Sequence, residues 1–372
     1  MKITCLIDSL VSGGAQRQLI NLAKLLKDSG HVIDFLVYRD HSFFAELLHS
    51  FGITEVKIQS TNNLDLLIKV RKYLKSTSPD VLISFLETPN FIACFSSMGK
   101  HSWKLITNEL SAKEASFTSQ RAMLFKRFEK YSDAIVCNSK QACKLWNQYL
   151  PQYSQKMRVI YNPLVIEESA LVAPLWHPRR AGKLRIVVTA SYQYLKNPVE
   201  LARAVLMLDE RERSVLQIDW YGRSEVVKGD TRAFDETESI VSEYGISGCL
   251  RLHEAIHDIY PAIASADIVG LFSTVEGLPN AICEGMYFGK PIVMTPISDF
   301  EILAGHGNGI IADGFDAPAI ASALKKAIAL SDDEIINMGE KSRELALSMF
   351  APDIICEQWN TLLRDLTDEA CQ

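Results

Sequence analysis

The stretch of this chain that decides its fold runs from Ser273 to Pro291 and reads Ser-Thr-Val-Glu-Gly-Leu-Pro-Asn-Ala-Ile-Cys-Glu-Gly-Met-Tyr-Phe-Gly-Lys-Pro. An apolar run at 267–272 predicts a buried strand directly before it. A helix is predicted over 279–288, since Pro279 suits the first position of a helix. A buried strand followed at once by a helix is the repeating unit of an α/β fold.

Two carboxylates of this stretch flank the start of the predicted helix. Glu276 lies in the loop before the helix and Glu284 on its second turn. The first-turn amides, starting at Asn280, have no partner within the helix and point with the positive end of the helix dipole towards the strand end. A diphosphate would fit there, and the carboxylates could accept hydrogen bonds from sugar hydroxyls. The alternative is a structural role, in which Glu276 interacts with the positive end of the helix dipole and Glu284 is a solvated surface acid.

Outward from this stretch, β-branched runs alternate with segments of helical period along the chain. Strands are predicted at 2–8, 32–38, 81–86, 104–108, 134–138, 184–190, 215–221, 249–253, 267–272, 291–295 and 309–312. Helices are predicted between the Gly13–Gly14 pair and Gly30, and at 64–75, 119–131, 198–208, 279–288 and 352–366. Such an alternation predicts parallel sheets built from βαβ units.

The alternation fails over 151–183, where prolines and a glycine fall close together and indicate a domain boundary. We therefore expect an N-terminal Rossmann-like domain at 1–165, a linker at 166–182 and a C-terminal Rossmann-like domain at 183–350. The last helix, within 351–372, is expected to pack back on the N-terminal domain. Parallel sheets bind ligands at the carboxyl ends of their strands, so the active cleft is expected between the two domains.

Composition excludes several classes of protein. The chain has 372 residues, 48% hydrophobic and 23% charged, which is typical of a globular protein of about two domains. No apolar run is long enough to span a bilayer, and Asp8 interrupts the first one, which argues against a signal peptide. The net charge of −6 argues against a general nucleic-acid binder. Residues 1–170 carry +6 and the remainder −12, which indicates either a basic half that meets an anionic surface or substrate, or ordinary surface variation.

Four motifs, in order along the chain, resemble one known family. The string Glu-Gly-Leu-Pro-Asn-x-x-x-Glu at 276–284, with Gly-Lys-Pro-Ile-Val behind it, resembles the E-x7-E motif of retaining GT-B glycosyltransferases of group 1 type (glycosyltransferase family 4). The segment 8–17, with its Gly13-Gly14 pair, resembles that family's first glycine loop. Val159-Ile-Tyr-Asn-Pro163 is similar to its interdomain segment, and Lys196-Asn197 to its donor-phosphate lysine.

The resemblance implies a role for each matching residue. Lys196 would neutralise the diphosphate leaving group, a task that needs a fixed cation, and Glu276 would orient the transferred sugar. Glu284 would hold the ribose hydroxyls of the nucleotide. The backbone around His253 would form the slot for the base, although His253 could equally be an ordinary strand-end histidine. The implied donor site comprises Gly13, Gly14, Ser191, Lys196, Arg223, His253, Ala255, Gly277, Leu278, Pro279, Asn280 and Glu284.

Two departures from the family pattern leave roles open. An arginine that usually pairs with the phosphate lysine is replaced here by Ser191, so either Ser191 and Lys196 suffice or Arg17 or Arg223 supplies the cation. A histidine that many members carry after the fifth strand is also missing. Asn108 or Glu109 would then orient the acceptor hydroxyl as the catalytic residue on that side, or Glu109 would cap the next segment.

A segment in the basic half suggests contact with a membrane. The stripe of Leu124, Phe125 and Phe128 is edged at helical spacing by Arg121, Lys126, Arg127 and Lys130, a pattern suited to an anionic leaflet. Core contact with a solvated rim is the alternative. We therefore expect a cytoplasmic protein that lies peripherally on the inner face of the cell membrane.

The function implied is transfer of a sugar from a UDP- or GDP-sugar to a hydroxyl of a polysaccharide or lipid-linked oligosaccharide, with retention of the anomeric configuration. No cofactor and no metal are expected, because Lys196 and helix dipoles would take the charge that a metal carries. The alternatives are a nucleotide-sugar 2-epimerase of the same shape and a non-catalytic GT-B partner subunit. A dinucleotide-dependent dehydrogenase is disfavoured, because the loop at 12–15 lacks the G-x-G-x-x-G spacing.

Overall fold

A computed structural model describes residues 1–11, 13–40, 43–166, 182–225 and 229–368 of the chain. The chain divides into two compact units, of which the first comprises Met1–Val165 and Phe350–Gln372 and the second Ile166–Met349. Most of the predicted linker, residues 167–181, lies outside the described residues.

The first unit contains a sheet of seven parallel strands in the order β3-β2-β1-β4-β5-β6-β7. The strands are β1 (Lys2–Leu6), β2 (Val32–Val37), β3 (Thr54–Lys57), β4 (Val81–Phe85), β5 (Lys104–Glu109), β6 (Ala134–Cys137) and β7 (Met157–Val159). The helices between them are α1 (Gly14–Asp28), α2 (Ala45–Ser50), α3 (Asn63–Thr77), α4 (Glu87–Ser96), α5 (Ala115–Thr118), α6 (Gln120–Lys126) and α7 (Lys140–Tyr149).

Alternating side chains of the central strands bury both faces of this sheet. Cys5 and Ile83 belong to one hydrophobic cluster, whereas Leu6 and Leu82, their neighbours along the strands, belong to a second cluster on the other face. A sheet buried on both faces requires apolar residues at successive positions, which is why β1 and β4 are mostly apolar, with Lys2, Thr4 and Ser84 as their polar residues.

The second unit contains six parallel strands in the order β10-β9-β8-β11-β12-β13. These are β8 (Leu184–Thr189), β9 (Leu216–Gly222), β10 (Leu250–Glu254), β11 (Ile268–Leu271), β12 (Ile292–Met294) and β13 (Gly309–Ile311). Its helices are α8 (Pro198–Leu206), α9 (Glu210–Ser214), α10 (Arg232–Glu243), α11 (Tyr260–Ser265), α12 (Asn280–Tyr287), α13 (Phe300–Ala304), α14 (Ala317–Ile328) and α15 (Asp332–Phe350). Two parallel Rossmann-like sheets were expected from the sequence and are confirmed.

The last helix, α16 (Pro352–Asp368), belongs to the first unit. Its buried residues Ile355, Trp359 and Leu363 lie in the same hydrophobic cluster as residues of α1. A hydrogen bond of 2.8 Å between His31 Nε2 and Asn360 Oδ1 links this helix to the start of β2. The chain therefore returns to its first unit after completing the second.

One helix differs from its prediction. The helix expected over 119–131 ends at Lys126, and a 3₁₀ turn over Arg127–Tyr131 continues it. A 3₁₀ turn has three residues per turn, so the helical spacing used to group side chains in this segment no longer applies beyond Lys126. No helix in the described part of the chain combines the length and the apolar character needed to cross a bilayer.

Candidate functional site

In the second unit, strand order brings Lys196 and Glu276 together across 80 residues of sequence. Strands β8 and β11 are neighbours, so the loops that follow them meet at one edge of the sheet. The N–H of Thr274 donates to the carbonyl of Leu195 at 2.8 Å and joins the two loops. Lys196 Nζ then lies 2.5 Å from Glu276 Oε1, and the hydroxyl of Ser273 donates to the same oxygen at 2.7 Å.

This ion pair is partly shielded from water, with side-chain exposures of 21% for Lys196 and 14% for Glu276. The short 3₁₀ turn Tyr194–Lys196 and the left-handed Asn197, with φ of 67°, set the direction of the lysine. A shielded cation held at the carboxyl edge of a parallel sheet can stabilise negative charge that develops on a bound group.

Helix α12 begins beside this pair. Its first residue is Asn280, and Pro279 precedes it in extended conformation. The carbonyl of Gly277 accepts a hydrogen bond from the hydroxyl of Ser298, which fixes the loop. Gly285 lets the helix pack closely, since a Cβ there would lie 2.6 Å from a methyl group of Val269 on β11. The first-turn amides are thereby held at the same edge as Lys196.

Other predicted donor residues of the E-x7-E stretch lie on the same loop and helix. Leu278 and Gly277 are buried, and Glu284 is half-buried on the second turn of α12. The predicted stretch 276–284 is thus a single loop-helix feature, whose carboxylates lie on either side of the helix start.

Ser191 and Arg223 lie at the ends of neighbouring strands. The N–H of Tyr192 donates to the carbonyl of Arg223 at 3.0 Å, which ties the loop after β8 to the loop after β9. Ser191 Oγ accepts a hydrogen bond of 2.9 Å from Gln193 Nε2, and the Arg223 side chain is exposed. Of the two candidates for the missing arginine, Arg223 lies in the same unit as Lys196, and Arg17 lies on α1 of the first unit.

His253 lies near the end of β10, one strand further along the edge. Its Nε2 is 2.9 Å from Asp219 Oδ1, and its ring stacks on Tyr221 at 4.5 Å between centroids. The hydroxyl of Tyr192 lies 3.1 Å from the His253 carbonyl. The His253 ring therefore contacts two residues of β9. The backbone at His253 and the exposed Ala255 lie at the carboxyl end of β10.

In the first unit, Gly13 and Gly14 start α1 after β1. Gly13 has extended backbone, and a Cβ on it would lie 2.3 Å from Gln16 Oε1. Gln16 in turn donates to Asp8 Oδ1 at 3.3 Å. A side chain at Gly13 would displace Gln16, so the glycine keeps this turn tight.

Asn108 and Glu109 end β5 in very different surroundings. Asn108 is buried, and its Nδ2 donates to the Ser84 carbonyl at 3.1 Å. Glu109 keeps its carboxylate at the sheet edge, where Oε2 lies 2.6 Å from Lys126 Nζ and accepts from Trp146 Nε1 at 3.1 Å. Of the two predicted acceptor-side residues, only Glu109 carries a charged group at this edge.

The predicted membrane stripe is wrong for Lys126 and for Phe128. Lys126 is 5% exposed, because its ammonium points inward to Glu109 and lies 4.5 Å from the ring of Phe117. Phe128 packs against the core of the first unit. The change from α to 3₁₀ geometry after Lys126 explains why helical spacing grouped Phe128 with the outward residues.

The remaining members of the stripe lie at the surface. Leu124 is 52% exposed, and Arg121, Arg127 and Lys130 are exposed. Phe125 is half-buried and stacks on Phe91. One aliphatic side chain and three cations therefore face solvent.

The structure contains a buried carboxyl group, that of Glu129, whose burial the sequence did not predict. Glu129 is 4% exposed, and its Oε2 accepts from the Thr107 hydroxyl at 2.6 Å. Burial raises the pKa of Glu129 to about 7, partly offset by the hydrogen bond from Thr107. The residue lies in the 3₁₀ turn, where neither strand nor helix period predicts burial.

This raised pKa makes the stability of the first unit depend on pH. A carboxyl whose pKa is higher in the folded than in the unfolded protein destabilises the fold progressively as pH rises from about 4.5 to about 7. We expect Glu129→Gln to raise the free energy of unfolding at pH 8 by up to about 3 kcal/mol, and to change it little at pH 4.5. Urea unfolding of both proteins at the two pH values measures this, and an equal difference at both would contradict it.

Comparison with known proteins places these features in a family. The family described as Glycosyltransferase Family 4 matches residues 12–168, and the family described as Glycosyl transferases group 1 matches residues 183–329. A Campylobacter jejuni protein named GalNAc-α-(1→4)-GalNAc-α-(1→3)-diNAcBac-PP-undecaprenol α-1,4-N-acetyl-D-galactosaminyltransferase is 23% identical over 98% of this chain and 99% of its own length. The lipopolysaccharide core biosynthesis glycosyltransferase LpsE of Rhizobium meliloti is 21% identical over 94% of this chain and 96% of its own.

Among solved structures, Anabaena Alr3699/HepE in complex with UDP superposes with a TM-score of 0.84 at 19% identity, covering 98% of this chain and 100% of the other. This likeness concerns the fold, which is GT-B. The two family matches fall on the two parallel-sheet units and together span most of the chain. The chain therefore belongs to the group 1, family 4 glycosyltransferases.

Proposed function

We propose that this glycosyltransferase moves a sugar from a UDP-sugar to a hydroxyl of a lipid-linked or lipopolysaccharide sugar, with retention of the anomeric configuration. The observation that carries the proposal is the shielded Lys196–Glu276 pair beside the start of α12. The acceptor class is supported by the names of the Campylobacter and Rhizobium relatives, and the donor by the UDP complex of the Anabaena protein.

In the proposed reaction, the donor diphosphate lies at the carboxyl edge of β8 and β11. Lys196 stabilises the charge that grows on the diphosphate as the bond to the anomeric carbon breaks. The acceptor oxygen bonds to that carbon on the same face, and its proton passes to the departing phosphate oxygen. Glu276 orients the donor sugar. Charge stabilisation by Lys196 and the α12 amides makes a metal unnecessary.

The other donor contacts follow from the neighbouring strand ends. Ser191 and the Arg223 guanidinium, on adjacent loops, take the place of the missing family arginine. Glu284 holds the ribose, and the backbone near His253 and Ala255 borders the base. On the acceptor side we assign Glu109 rather than Asn108, since the amide of Asn108 is occupied by the Ser84 carbonyl.

The proposal is tested by incubating the purified protein with UDP- and GDP-sugars and undecaprenyl-diphosphate-linked acceptors. We expect transfer from a UDP-sugar to give a product whose new linkage keeps the donor's anomeric configuration by NMR, in the presence of EDTA. An epimerised donor with no product would contradict the transfer, an inverted linkage would contradict retention, and activity that only added Mg²⁺ restores would contradict the metal-free mechanism.

Replacing Glu284 by alanine is expected to raise the KM for the donor about tenfold and to leave kcat nearly unchanged. A ribose contact is the same in the ground state and in the transition state, so its loss weakens binding without slowing the chemical step. Steady-state kinetics with varied donor measures the two constants. Glu301→Ala, on the exposed side of α13, serves as the matched control, and a fall in kcat at constant KM would contradict the role.

We also propose that the exposed residues Arg121, Leu124, Arg127 and Lys130 contact an anionic membrane surface where a lipid-linked acceptor resides. Each cation near such a surface contributes about 1 kcal/mol. We expect the double variant Arg127→Glu/Lys130→Glu to lose most binding to vesicles containing phosphatidylglycerol at low salt. The exposed Lys325→Glu/Lys326→Glu pair of the second unit is the control, and absence of wild-type binding would contradict the proposal.

A further inference from the structure

In the first unit, three buried polar atoms without a partner lie around the ends of β4, β5 and β6. Ten buried side-chain atoms of the described residues have no hydrogen-bond partner, and three of them, Ser84 Oγ, Asn90 Oδ1 and Asn138 Oδ1, belong to residues at or just after the ends of β4 and β6. Ser84 is on β4, Asn90 is on the first turn of α4, and Asn138 directly follows β6. Leaving such an atom buried without a partner costs about 1–3 kcal/mol, so a ligand that donates a hydrogen bond to it gains that energy.

The orientation of Asn90 is fixed by its own contacts. Its Nδ2 donates to the backbone carbonyl of Asn108 at 2.9 Å. Exchanging the amide oxygen and nitrogen would place two acceptors against each other, so Oδ1 has to be the free atom. Asn90 is 9% exposed, which leaves it just beneath the surface at this edge.

Asn138 lies across β5 from Asn90. Its N–H donates to the carbonyl of Glu109 at 3.2 Å, which places it beside the acidic residue that we assign to the acceptor side. The carboxylate of Glu109 is itself anchored by Lys126 and Trp146. Asn138 is 5% exposed. The two asparagines therefore lie on either side of the carboxyl end of β5.

The hydrogen-bonding character of the unpartnered amide oxygens indicates which chemical groups could bind to them. The free amide oxygen of Asn90 accepts hydrogen bonds only, and the neighbouring Glu109 carboxylate disfavours an anion. A group that offers several donors and no charge fits, and the hydroxyls or the acetamido N–H of a sugar ring are such donors. A sugar bound here would satisfy atoms that are otherwise buried without a partner.

We propose that Asn90 and Asn138 bind hydroxyl or amide donors of the acceptor sugar and determine which acceptor is used. The proposal rests on the transferase function above and adds two specificity residues to it. The backbone between β4 and α4 is consistent with a built site, because Leu86 adopts φ of 80° and ψ of 153°, a conformation that is costly for a residue other than glycine.

The test compares Asn138→Leu, which removes the amide, with Asn138→Asp, which keeps an accepting oxygen. We expect Asn138→Leu to raise the acceptor KM at least tenfold and Asn138→Asp to raise it less than threefold. The circular dichroism spectrum and the gel-filtration elution volume of both variants should match those of the wild type, which shows that the variants are folded. Asn147→Leu, at an exposed position of α7, is the matched control.

Deoxygenated acceptors separate recognition from a structural effect. An acceptor that lacks the hydroxyl bound by Asn138 should have the same KM with the wild type and with Asn138→Leu. An unchanged acceptor KM in Asn138→Leu, or a change of equal size with every deoxygenated acceptor, overturns the inference while the transferase function stands. If the wild type neither transfers nor hydrolyses any UDP-sugar, the proposed function fails, and this inference fails with it.

Discussion

Lys196→Ala is expected to lower kcat by about 100- to 1,000-fold, equivalent to roughly 2.7–4 kcal/mol of transition-state stabilisation. Lys196 is a cation at the point where the loops after β8 and β11 meet, and its Nζ lies 2.5 Å from Glu276 Oε1. The negative charge on the departing diphosphate is larger in the transition state than in the bound donor, so loss of Lys196 should lower kcat more than it raises the donor KM. Single-turnover assays with labelled donor measure the chemical step directly.

Two controls make this expectation specific. Lys196→Arg keeps the charge but changes its geometry and should recover only part of the rate. Lys326→Ala removes an exposed lysine of the same unit, 3.9 Å from Asp313, and should leave turnover unchanged. A rate for Lys196→Ala within threefold of the wild type would exclude Lys196 from the chemical step.

The fold was largely predictable because its strands are buried on both faces. Strands such as β1, β4 and β8 are mostly apolar, with apolar residues on both faces, which distinguishes them from the amphipathic helices around them. The two strands that the sequence did not predict, β3 and β7, are edge strands of four and three residues. Strand β3 carries the charged residues Glu55 and Lys57 among its four, and β7 lies within 151–183, the stretch that we assigned to the domain boundary.

The candidate site was predictable only where a local motif contains it. Glu276 and Glu284 lie on one continuous loop and helix, so their separation along the chain determines how they are placed relative to each other. Lys126 shows the opposite case: helical period placed it at the surface, but Glu109 and Trp146, distant in sequence, draw it inward. Asn90 and Asn138 are single residues without a period, and only the packing of α4 and β6 reveals their unpartnered oxygens.

Glu276→Ala is expected to lower kcat about 100-fold, because Glu276 holds Lys196 and, in the reaction that we propose, also orients the donor sugar. Its Oε1 contacts Lys196 Nζ and the Ser273 hydroxyl, so removal of the carboxylate frees the lysine as well as a sugar contact. Glu276→Gln keeps an oxygen for Ser273 but loses the charge, and we expect an intermediate rate. Activity in Glu276→Ala equal to the wild type would show that the carboxylate is a solvated acid beside the helix dipole.

A double-mutant cycle distinguishes the two tasks of Glu276. If the carboxylate acted only by holding the lysine, Glu276→Ala would have no effect in a Lys196→Ala background. Because we assign it a sugar contact as well, we expect the double variant to be slower than Lys196→Ala, yet faster than independent effects predict by at least tenfold, about 1.4 kcal/mol of coupling. The exposed Lys326–Asp313 pair gives the reference cycle, where solvent screening should leave coupling below about 1 kcal/mol. Purely additive losses at 196 and 276 would mean that the contact between them does not operate during transfer.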